Sequence, residues 1–460
     1  MTNMSRSILI VGGGPAGAVT AFWLAKAAFK VTIAERSTSR FTYGQGVDIT
    51  GPPIEIIKKM GLYDTIKANT TGETGSALAN DSGEPIAIIG AAPQDNNTAS
   101  WVQDIEIMRG KCTEIFSKAA TSFSNVTYRY GCTVEELREG EKSVTAKLSD
   151  SGEPEEFAAV IGADGLRSRV RSLVFDEETN KKCLDPKDVY VGFFSIKGDS
   201  DHDIPNSRLQ NAPGGKSILI RPIDRNGDRS SCYVMAVGEH EPLQKVSEPG
   251  HTSEEQKATL LERFADFPGL GDRARRGLRE EADDFYFTRI VQVKLGSWHN
   301  GRCALVGDAA YAPSPLTGQG TTLSILGSYI LAGEMAKSPD DLVSAFVEYE
   351  KKLQEYVREE QKIPFGGRAP YMANPQTRMG ISVSRTLFWV LAKSKAWKWF
   401  NVGMDKKYAL PQYPFGDSFP PDADFMEDFF QKADKPMKSV VRLAGFVLWV
   451  SYQAVPTITS

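Results

Sequence analysis

The sequence predicts an α/β protein in which a Rossmann-type domain with a parallel sheet carries a second, mostly antiparallel β-sheet domain and a C-terminal helical extension. Three observations predict this fold class. A short apolar strand, residues 8–11, runs into a glycine-rich turn. Two apolar segments far along the chain, residues 158–162 and 303–306, also end in Asp beside Gly. Between residues 176 and 284 the pattern changes to alternating strand-like segments, which is typical of an antiparallel sheet.

The first motif lies within the first 36 residues. Residues 8–11 lead into residues 12–17, Gly-Gly-Gly-Pro-Ala-Gly, and Glu35 closes a second apolar strand. The first glycine makes the turn, the third lets backbone approach a pyrophosphate, and the last lets the following helix pack on the sheet. That helix directs free N–H groups and its positive dipole end at phosphates. The motif therefore predicts a dinucleotide site with Glu35 on a ribose, and it leaves NAD and FAD open.

The two later segments narrow this choice. The strand over residues 158–162 is followed by Asp164-Gly165, and the strand over residues 303–306 by Gly307-Asp308. Each pair alone is a common turn former. Because the carboxyl ends of parallel strands meet at one edge of a sheet, three such ends predict one long ligand crossing that edge.

Together these motifs resemble those of the single-component (class A) flavoprotein monooxygenases, whose reference architecture is the p-hydroxybenzoate hydroxylase fold. Beside the first glycine motif, the matching stretches are residues 162–168, Gly-Ala-Asp-Gly-Leu-Arg-Ser, and residues 307–320, GDAAYAPSPLTGQG. The resemblance covers roughly residues 7–360. The closer similarity is to the branch of tetracycline-inactivating monooxygenases, and it rests on residues 44–49, Gly-Gln-Gly-Val-Asp-Ile, and on Arg109 at a predicted helix start.

The resemblance implies tight, non-covalent FAD and a transient NADPH or NADH. It assigns the ADP half of FAD to the first glycine motif, the ribityl chain to Asp308, and both cofactors to the stretch at Asp164. Arg36 and Arg40 fit two explanations equally well: they are additional cofactor contacts, or they are solvated surface charges. The expected cofactor contacts are Gly12, Gly14, Ala16, Gly17, Glu35, Arg36, Gly46, Asp48, Arg109, Asp164, Gly307, Asp308, Pro315, Gly318, Gly320 and Thr321.

The segment after Asp308 indicates how a flavin would react. Residues 318–320 precede a helix, so free backbone N–H groups would converge on the flavin pyrimidine edge and stabilise the anionic reduced form. Reduced flavin and O₂ form a C4a-hydroperoxide, which donates oxygen only while water is excluded. Pro313, Pro315 and Leu316 give a stiff apolar loop that would shield that face. Thr321-Thr322 follow the last glycine where many relatives have Asn, which leaves FAD binding intact but weakens analogies about the substrate.

We therefore expect an FAD-dependent, NAD(P)H-consuming monooxygenase that hydroxylates or epoxidises a bulky aromatic or polyunsaturated metabolite, as in secondary metabolism. The alternative is a reductase or dehydrogenase of the same fold that inserts no oxygen. A second GxGxxG unit is absent, which argues against the two-domain Baeyer–Villiger class, and a missing WxWxIP signature argues against a halogenase. The substrate, the regiochemistry, a Baeyer–Villiger outcome and the choice of NADH or NADPH stay open.

Substrate contacts are expected between the flavin and the second sheet, at Phe194, Arg221 and Tyr233. Alternation along the strand does not decide whether Phe193 or Phe194 faces the flavin. Hydroxylation of a phenol commonly needs a base. No His-Asp or carboxylate pair has a spacing that nominates one, so no catalytic residue is assigned.

The motifs divide the chain into three parts. Residues 1–175 and 285–365 are expected to form the FAD-binding domain, with an insertion at about 45–100 that contributes to the substrate side. Residues 176–284 are expected to form the substrate-binding β-sheet domain, and residues 366–460 the helical extension.

Composition fits a cytoplasmic enzyme. The formal charge of −4 gives no reason to expect a nucleic-acid partner. Five scattered cysteines without CxxC and four histidines without ligand spacing predict neither disulfides nor a metal site. The six residues before the first strand are too few for a secretory signal. Aromatic and basic residues over 386–400, with the apolar run 443–450, resemble an amphipathic surface that rests on a membrane. We favour the alternative, in which these helices pack on the FAD domain or cap the pocket. The oligomeric state is not predicted.

Overall fold

The structure is a computed structural model that describes residues 6–38, 45–90, 105–394 and 408–416. The strands in chain order are β1 Ser7–Val11, β2 Lys30–Glu35, β3 Gly46–Ile49, β4 Gly75–Ala79, β5 Pro85–Gly90, β6 Ile105–Met108, β7 Val126–Tyr130, β8 Val134–Glu139, β9 Val144–Leu148, β10 Glu155–Phe157, β11 Ala159–Gly162, β12 Leu184–Lys197, β13 Asn206–Ala212, β14 Lys216–Pro222, β15 Arg229–Val237, β16 Tyr286–Val293, β17 His299–Asn300 and β18 Cys303–Leu305. The helices are α1 Pro15–Lys26, α2 Pro52–Lys59, α3 Tyr63–Ala68, α4 Arg109–Thr121, α5 Arg169–Val174, α6 Glu177–Lys182, α7 Glu241–Ser247, α8 Ser253–Arg263, α9 Leu270–Glu280, α10 Asp308–Tyr311, α11 Gly320–Lys337, α12 Leu342–Glu360, α13 Ala369–Ala373 and α14 Arg378–Ser394.

A six-stranded sheet of order β17-β18-β11-β1-β2-β7 forms the first layer. β1, β2, β7, β11 and β18 run parallel, and β17 is antiparallel to β18. Helices cover this sheet, which explains why β1 reads as an apolar run with residues 8–10 fully buried. Helices α1 and α11 pack on each other, and the Ser328 hydroxyl of α11 donates to the Ala16 carbonyl over 2.8 Å. The predicted parallel sheet is confirmed.

A seven-stranded sheet of order β16-β12-β15-β14-β13-β4-β5 forms the second layer. Neighbouring strands are antiparallel except for β13 and β4, which run parallel. The predicted antiparallel sheet is therefore confirmed. Strands β4 and β5 come from the insertion that was expected to serve the substrate side. Strand β16 pairs along β12, so this sheet continues past residue 284, where the sequence had suggested a return to the first domain.

The two faces of the seven-stranded sheet have different neighbours. One face packs on α8 and α9 and buries Tyr190 and Phe194. The other face carries Val191, Phe193 and Tyr233 and contacts Leu316, which lies in the loop between α10 and α11. This second face, called here the inner face, therefore points towards the carboxyl edge of the six-stranded sheet.

Smaller elements join the layers. Strands β3 and β6 form a two-stranded antiparallel ribbon, and β8, β9 and β10 form a three-stranded antiparallel sheet. Helix α14 contacts β5 and exposes apolar side chains, among them Met379 and Leu387. Residues 395–400 and 443–450 lie outside the described residues. In the part of the chain that is described, no helix is long and apolar enough to cross a membrane.

Candidate active site

The strand register brings the predicted motifs to one edge. Val11 of β1 lies beside Ala34 of β2 and Gly162 of β11, and Gly162 in turn lies beside Leu305 of β18. Because these strands are parallel, the residues that follow them emerge at the same edge. The glycine motif, Glu35, Asp164 and Asp308 therefore lie along one line across the sheet.

Three glycines of the first motif are each explained by a different feature of their surroundings. Gly12 has φ +105°, and a Cβ there would lie 2.5 Å from the Ala163 carbonyl oxygen. A Cβ on Gly17 would overlap the Gly12 carbonyl oxygen, so the helix can pack against the turn only without a side chain. A Cβ on Gly14 would meet nothing within 4 Å. The space beside Gly14 is open, as a ligand phosphate requires.

Helix α1 starts at this open space with unpaired backbone donors. Its N-cap, Gly14, makes no side-chain capping bond, and the first turn holds no acidic residue. Pro15 occupies the first helical position, where its missing N–H costs nothing. The helix start therefore presents positive dipole charge to an anionic ligand.

Glu35 lies at the end of β2, next to the glycine turn. Its carboxylate accepts hydrogen bonds from the Gly13 N–H at 2.7 Å and the Ser37 N–H at 2.8 Å. Two carboxylate oxygens offer about four acceptor positions, so capacity for a ribose hydroxyl remains. Arg36, the next residue, is exposed.

Asp164 has a structural task at the same edge. Its carboxylate accepts hydrogen bonds from the Ser168 hydroxyl at 2.5 Å and from the Arg169 and Val170 N–H groups at 2.6 and 3.1 Å. It therefore caps the start of α5. Burial raises the pKa of Asp164 despite these hydrogen bonds. The residue lies where the sequence placed it, with its carboxylate directed to α5.

The charges of Asp308 and Arg109 interact. Asp308 opens α10 directly after Gly307, and Arg109 opens α4 after β6. Burial raises the pKa of Asp308, and the positive charge of Arg109 opposes that rise. Gly307 has φ +67° and lies close to Ala16 of α1, which brings the Asp308 turn next to the first motif.

The loop from Pro313 to Gln319 is strained and ends in a bare helix start. Ser314 has φ +77°, and its buried hydroxyl has no hydrogen-bond partner. Backbone strain of this kind collects at binding sites. Helix α11 then begins at Gly320, with neither a side-chain cap nor an acidic residue in its first turn. Pro315 and Gly318 are exposed and Thr321 is half-buried, so this helix start is accessible from solvent.

The ribbon of β3 and β6 meets the inner face through a buried charge cluster. The Arg221 guanidinium donates to Glu73 at 2.9 and 3.0 Å and also to Glu106. Glu106 is the register partner of Asp48, and its second oxygen, Oε2, is buried without a hydrogen-bond partner. Burial raises the pKa of Glu73, and Arg221 opposes that rise. Each of Glu73, Glu106 and Arg221 is more than nine-tenths buried.

One expected substrate contact, Phe194, lies on the opposite face, and another, Arg221, is engaged in buried ion pairs. Phe194 packs in the core against Phe285 on the face that bears α8 and α9, and Phe193 occupies the inner face instead. The reason is the parity of β12, because residues of opposite parity point to opposite faces. Arg221 is on the inner side, where Glu73 and Glu106 hold its guanidinium in the buried cluster.

Tyr233 keeps its expected position. Its hydroxyl accepts a hydrogen bond from the Gly46 N–H over 3.1 Å, which connects the inner face to the ribbon. Its ring stands edge-on to Phe193, with the ring centres 4.9 Å apart. Phe193 in turn stacks on Tyr286, which is 54% exposed. These three aromatic side chains form a wall that leads from solvent to the ribbon.

The donor set fits FAD. An open glycine, two bare helix starts and a carboxylate at the end of β2 are suited to a pyrophosphate, a ribose and an electron-rich ring edge. The carboxylates of Glu35 and Asp308 can accept hydrogen bonds from ligand hydroxyls. Among the described residues, no group of His, Cys, Asp and Glu has the arrangement of a metal site.

Comparison with known proteins identifies the family. The model of the FAD binding domain family matches residues 5–340, which is well over half of the chain. This chain belongs to that family. It is an FAD-dependent monooxygenase.

Two fungal relatives and one solved structure show how far the similarity extends. The monooxygenase is 54% identical over 419 residues to Monooxygenase CTB7 of Cercospora beticola, covering 90% of this chain and 99% of the relative. It is 31% identical over 432 residues to the FAD-dependent monooxygenase asL4 of Sarocladium schorii, covering 88% and 98%. The crystal structure of the tetracycline destructase Tet(55) matches with a TM-score of 0.70 at 27% identity, covering 90% and 100%. The resemblance to class A monooxygenases near that branch is confirmed.

Sequence reasoning missed several residues of the monooxygenase site. Glu106 had a signal, because a carboxylate between Ile105 and Ile107 in a buried strand needs a partner. Glu73 lies in a polar loop where an acid is unremarkable, so no local pattern marks it. The strain at Ser314 is set by tertiary packing and has no sequence signature apart from its flanking prolines.

Proposed function

We propose that this monooxygenase uses NAD(P)H and O₂ to add one oxygen atom to a bulky aromatic or polyunsaturated metabolite. The observation that carries the proposal is the inner face, where Phe193, Tyr233 and Tyr286 form an aromatic wall and Leu316, from the loop before α11, packs against the same face. An apolar cleft with few polar groups is the usual form of a small-molecule site. Aromatic rings favour flat, conjugated ligands through stacked and edge-on contacts.

The proposed reaction balances as substrate, O₂, NAD(P)H and one proton giving oxygenated substrate, water and NAD(P)⁺. When bound, FAD would supply the redox chemistry that links NAD(P)H to O₂. The flavin C4a-hydroperoxide expected from the sequence is part of this proposal. The cofactor contacts expected from the sequence are retained as proposals, with Glu35 on a ribose and Asp308 on the ribityl chain.

The protein's own groups would act by position and by exclusion of water. The bare start of α11 would stabilise negative charge on the pyrimidine edge of the reduced cofactor. Leu316 contacts the inner face and would limit the water that reaches the cleft. Proton removal from a phenol is assigned to no residue.

The names of the relatives support a large substrate. Tet(55) is named for its action on tetracycline, a molecule of four fused rings, and it covers most of this chain. A cleft that suits a multi-ring molecule in that protein supports a substrate of similar size here. Monooxygenase CTB7, at 54% identity, supports oxygen insertion over the reductase or dehydrogenase alternative.

A substrate screen tests the proposal. Purified holoenzyme is mixed with NADPH or NADH and a panel of polycyclic phenols, quinones and polyenes, and both NAD(P)H loss and O₂ consumption are followed. We expect at least one compound to stimulate both at equal rates and to give a product heavier by one oxygen atom, with ¹⁸O taken from ¹⁸O₂. Product formation in the absence of O₂, or a product without added oxygen, would contradict the proposal and favour the reductase.

A further inference from the structure

A second cavity lies apart from the carboxyl edge. It has a volume of about 550 Å³ and is open to solvent between the end of β16, the loop after it, and the last turns of α12. A volume of that size falls within the range of small-molecule sites. Neither the expected FAD contacts nor the inner face accounts for it.

The lining of this cavity is cationic. Its charged lining residues are Lys187, Lys294, Arg358 and Lys362, and no carboxylate lines it within the described part of the chain. Lys187 and Lys294 share one counter-ion outside the lining, Asp185, each at 2.7 Å. Lys362 pairs with Glu359, so these two carboxylates balance only part of the charge of the four cations, and the remaining positive charge attracts anions.

Buried amides form its inner wall and connect it to the loop next to the flavin site. The Gln292 amide donates to the Pro313 carbonyl at 2.8 Å, and the Gln361 amide donates to the Val293 and Tyr311 carbonyls at 2.6 and 3.1 Å. Pro313 is the first residue of the strained loop. The wall of the cavity and that loop are therefore held in one hydrogen-bonded unit.

Strand β12 gives the separation between the cavity and the inner face. Lys187 lines the cavity, and Val189, two residues further along, belongs to the cluster that contacts Leu316. At about 3.3 Å per residue the two positions are roughly 7 Å apart. An extended ligand can therefore occupy the cavity and still reach towards the loop that covers the cofactor.

We propose that this cavity binds the adenosine-phosphate half of the nicotinamide cofactor. The inference rests on the proposed function, because NAD(P)H is there the reductant. The chain has a single glycine-rich dinucleotide motif, which FAD is expected to use, so the reductant needs another site for its phosphates. Four cations without a lining carboxylate suit a pyrophosphate, and more so a pyrophosphate with a 2′-phosphate.

The first test measures flavin reduction without substrate. Arg358→Glu reverses one charge of the cavity, and Lys351→Glu makes the same change at an exposed position of the same helix, outside the cavity. In anaerobic stopped-flow mixing, Arg358→Glu should raise the NADPH concentration for half-maximal reduction by at least about fivefold, because charge repulsion replaces attraction. Lys351→Glu should leave it within about twofold, since Lys351 lies outside the cavity, seven residues or roughly 10 Å along the helix from Arg358, and salt screens charges over that distance. FAD content and reduction by dithionite should match wild type in both variants.

A second measurement does not depend on reduction. Adenosine 2′,5′-bisphosphate and inorganic pyrophosphate are titrated into the oxidised holoenzyme by calorimetry. Both should bind to wild type, more weakly as salt rises, and should lose binding in Arg358→Glu but not in Lys351→Glu. Equal effects of the two variants, or no effect of either, would overturn the cavity assignment. If neither NADPH nor NADH reduces the wild type, the proposed function fails, and the calorimetry still decides whether the cavity holds the phosphates.

Discussion

Gly14 and Gly17 lie three residues apart at one helix start, yet the structure requires them for different reasons. Gly17 is needed by the protein itself, because any side chain there would collide with the Gly12 carbonyl. Gly14 is needed only by a ligand, because its surroundings are open and its φ of −69° suits any residue. Within one motif, glycine is therefore required for packing at position 17 and for ligand binding at position 14.

This difference predicts opposite results for two alanine variants. Gly17→Ala should destabilise the FAD-free protein by about 1–3 kcal/mol, as overpacking does. Gly14→Ala should leave the melting temperature of the FAD-free protein unchanged and weaken FAD binding. Thermal melts with and without added FAD, together with the flavin absorbance of purified protein, separate the two effects. A drop in the FAD-free melting temperature for Gly14→Ala would show that the space beside it is not free.

Asp308 predicts a pH dependence of stability. Burial raises its pKa, so the folded protein favours the neutral carboxyl more than the unfolded chain does. The neutral Asp308 carboxyl therefore contributes its full stabilisation of the folded protein below about pH 4. This contribution is lost as the pH rises through the raised pKa. Asp308→Asn carries no charge, so its FAD-free form should melt at a higher temperature than wild type at pH 7.

The increase in melting temperature expected for Asp308→Asn should shrink towards zero as the pH falls to about 4. Melting curves from pH 4 to pH 8 measure it, and Asp340→Asn, at an exposed aspartate, is the control that should show no such trend. A gain that is independent of pH would mean that the asparagine stabilises the site for a reason other than charge.

At the scale of elements, the two faces of strand β12 have different roles: one packs in the protein core and the other belongs to the proposed substrate site. Phe194 is 3% exposed among the side chains of α8 and α9, while Phe193 is half-buried beside Tyr233. Strand geometry makes this a matter of parity, since a shift by one residue exchanges the faces. Both residues are phenylalanine, so their surroundings alone distinguish them.

Phe194→Ala should therefore cost about 3–5 kcal/mol of unfolding free energy, as for other buried phenylalanines. Phe193→Ala should cost clearly less in stability and should raise the KM for the substrate found in the screen. Chemical denaturation and steady-state kinetics on the two variants test the pair. If Phe194→Ala were the one that changed KM at unchanged stability, the assignment of the inner face would be wrong.

The elements that could be predicted are those with local signatures. The strand–turn–helix at residues 8–26 and the turn at Gly307-Asp308 depend on glycines and apolar runs that sit side by side in the sequence. Strand β16 could not be placed, because its alternation fits either sheet and only its pairing with β12 decides. The Glu73–Arg221–Glu106 cluster joins positions 33 and 115 residues apart, which no local pattern can report.

On the scale of the whole molecule, this cluster connects the ribbon of β3 and β6 to the seven-stranded sheet. Its charges are buried, so their removal from water is costly and their mutual attraction must offset that cost. A single substitution that removes the cation leaves two carboxylates buried without a positive partner, although Glu73 still accepts from the Ser207 hydroxyl. The cluster therefore binds the two parts of the molecule together only while all of its members are present.

Arg221→Ala should destabilise the protein by about 3–5 kcal/mol, the usual effect of breaking a buried pair. The triple variant Arg221→Met, Glu73→Gln, Glu106→Gln removes all of the charge and should recover a substantial part of that loss. Urea denaturation of both variants and of Arg221→Met alone measures the recovery. A triple variant less stable than Arg221→Ala would show that the carboxylates stabilise the fold through contacts other than the guanidinium.

The chain enters the seven-stranded sheet twice, once with β4 and β5 and again from β12 to β16, and it returns to the six-stranded sheet each time. The seven-stranded sheet is thus built from two separate stretches of sequence, and part of the six-stranded sheet lies between them in the chain. Recombination at one crossover cannot exchange the seven-stranded sheet intact. Directed evolution of a new substrate range would need four matched junctions, or point changes on the inner face, and we expect the second route to yield folded proteins far more often.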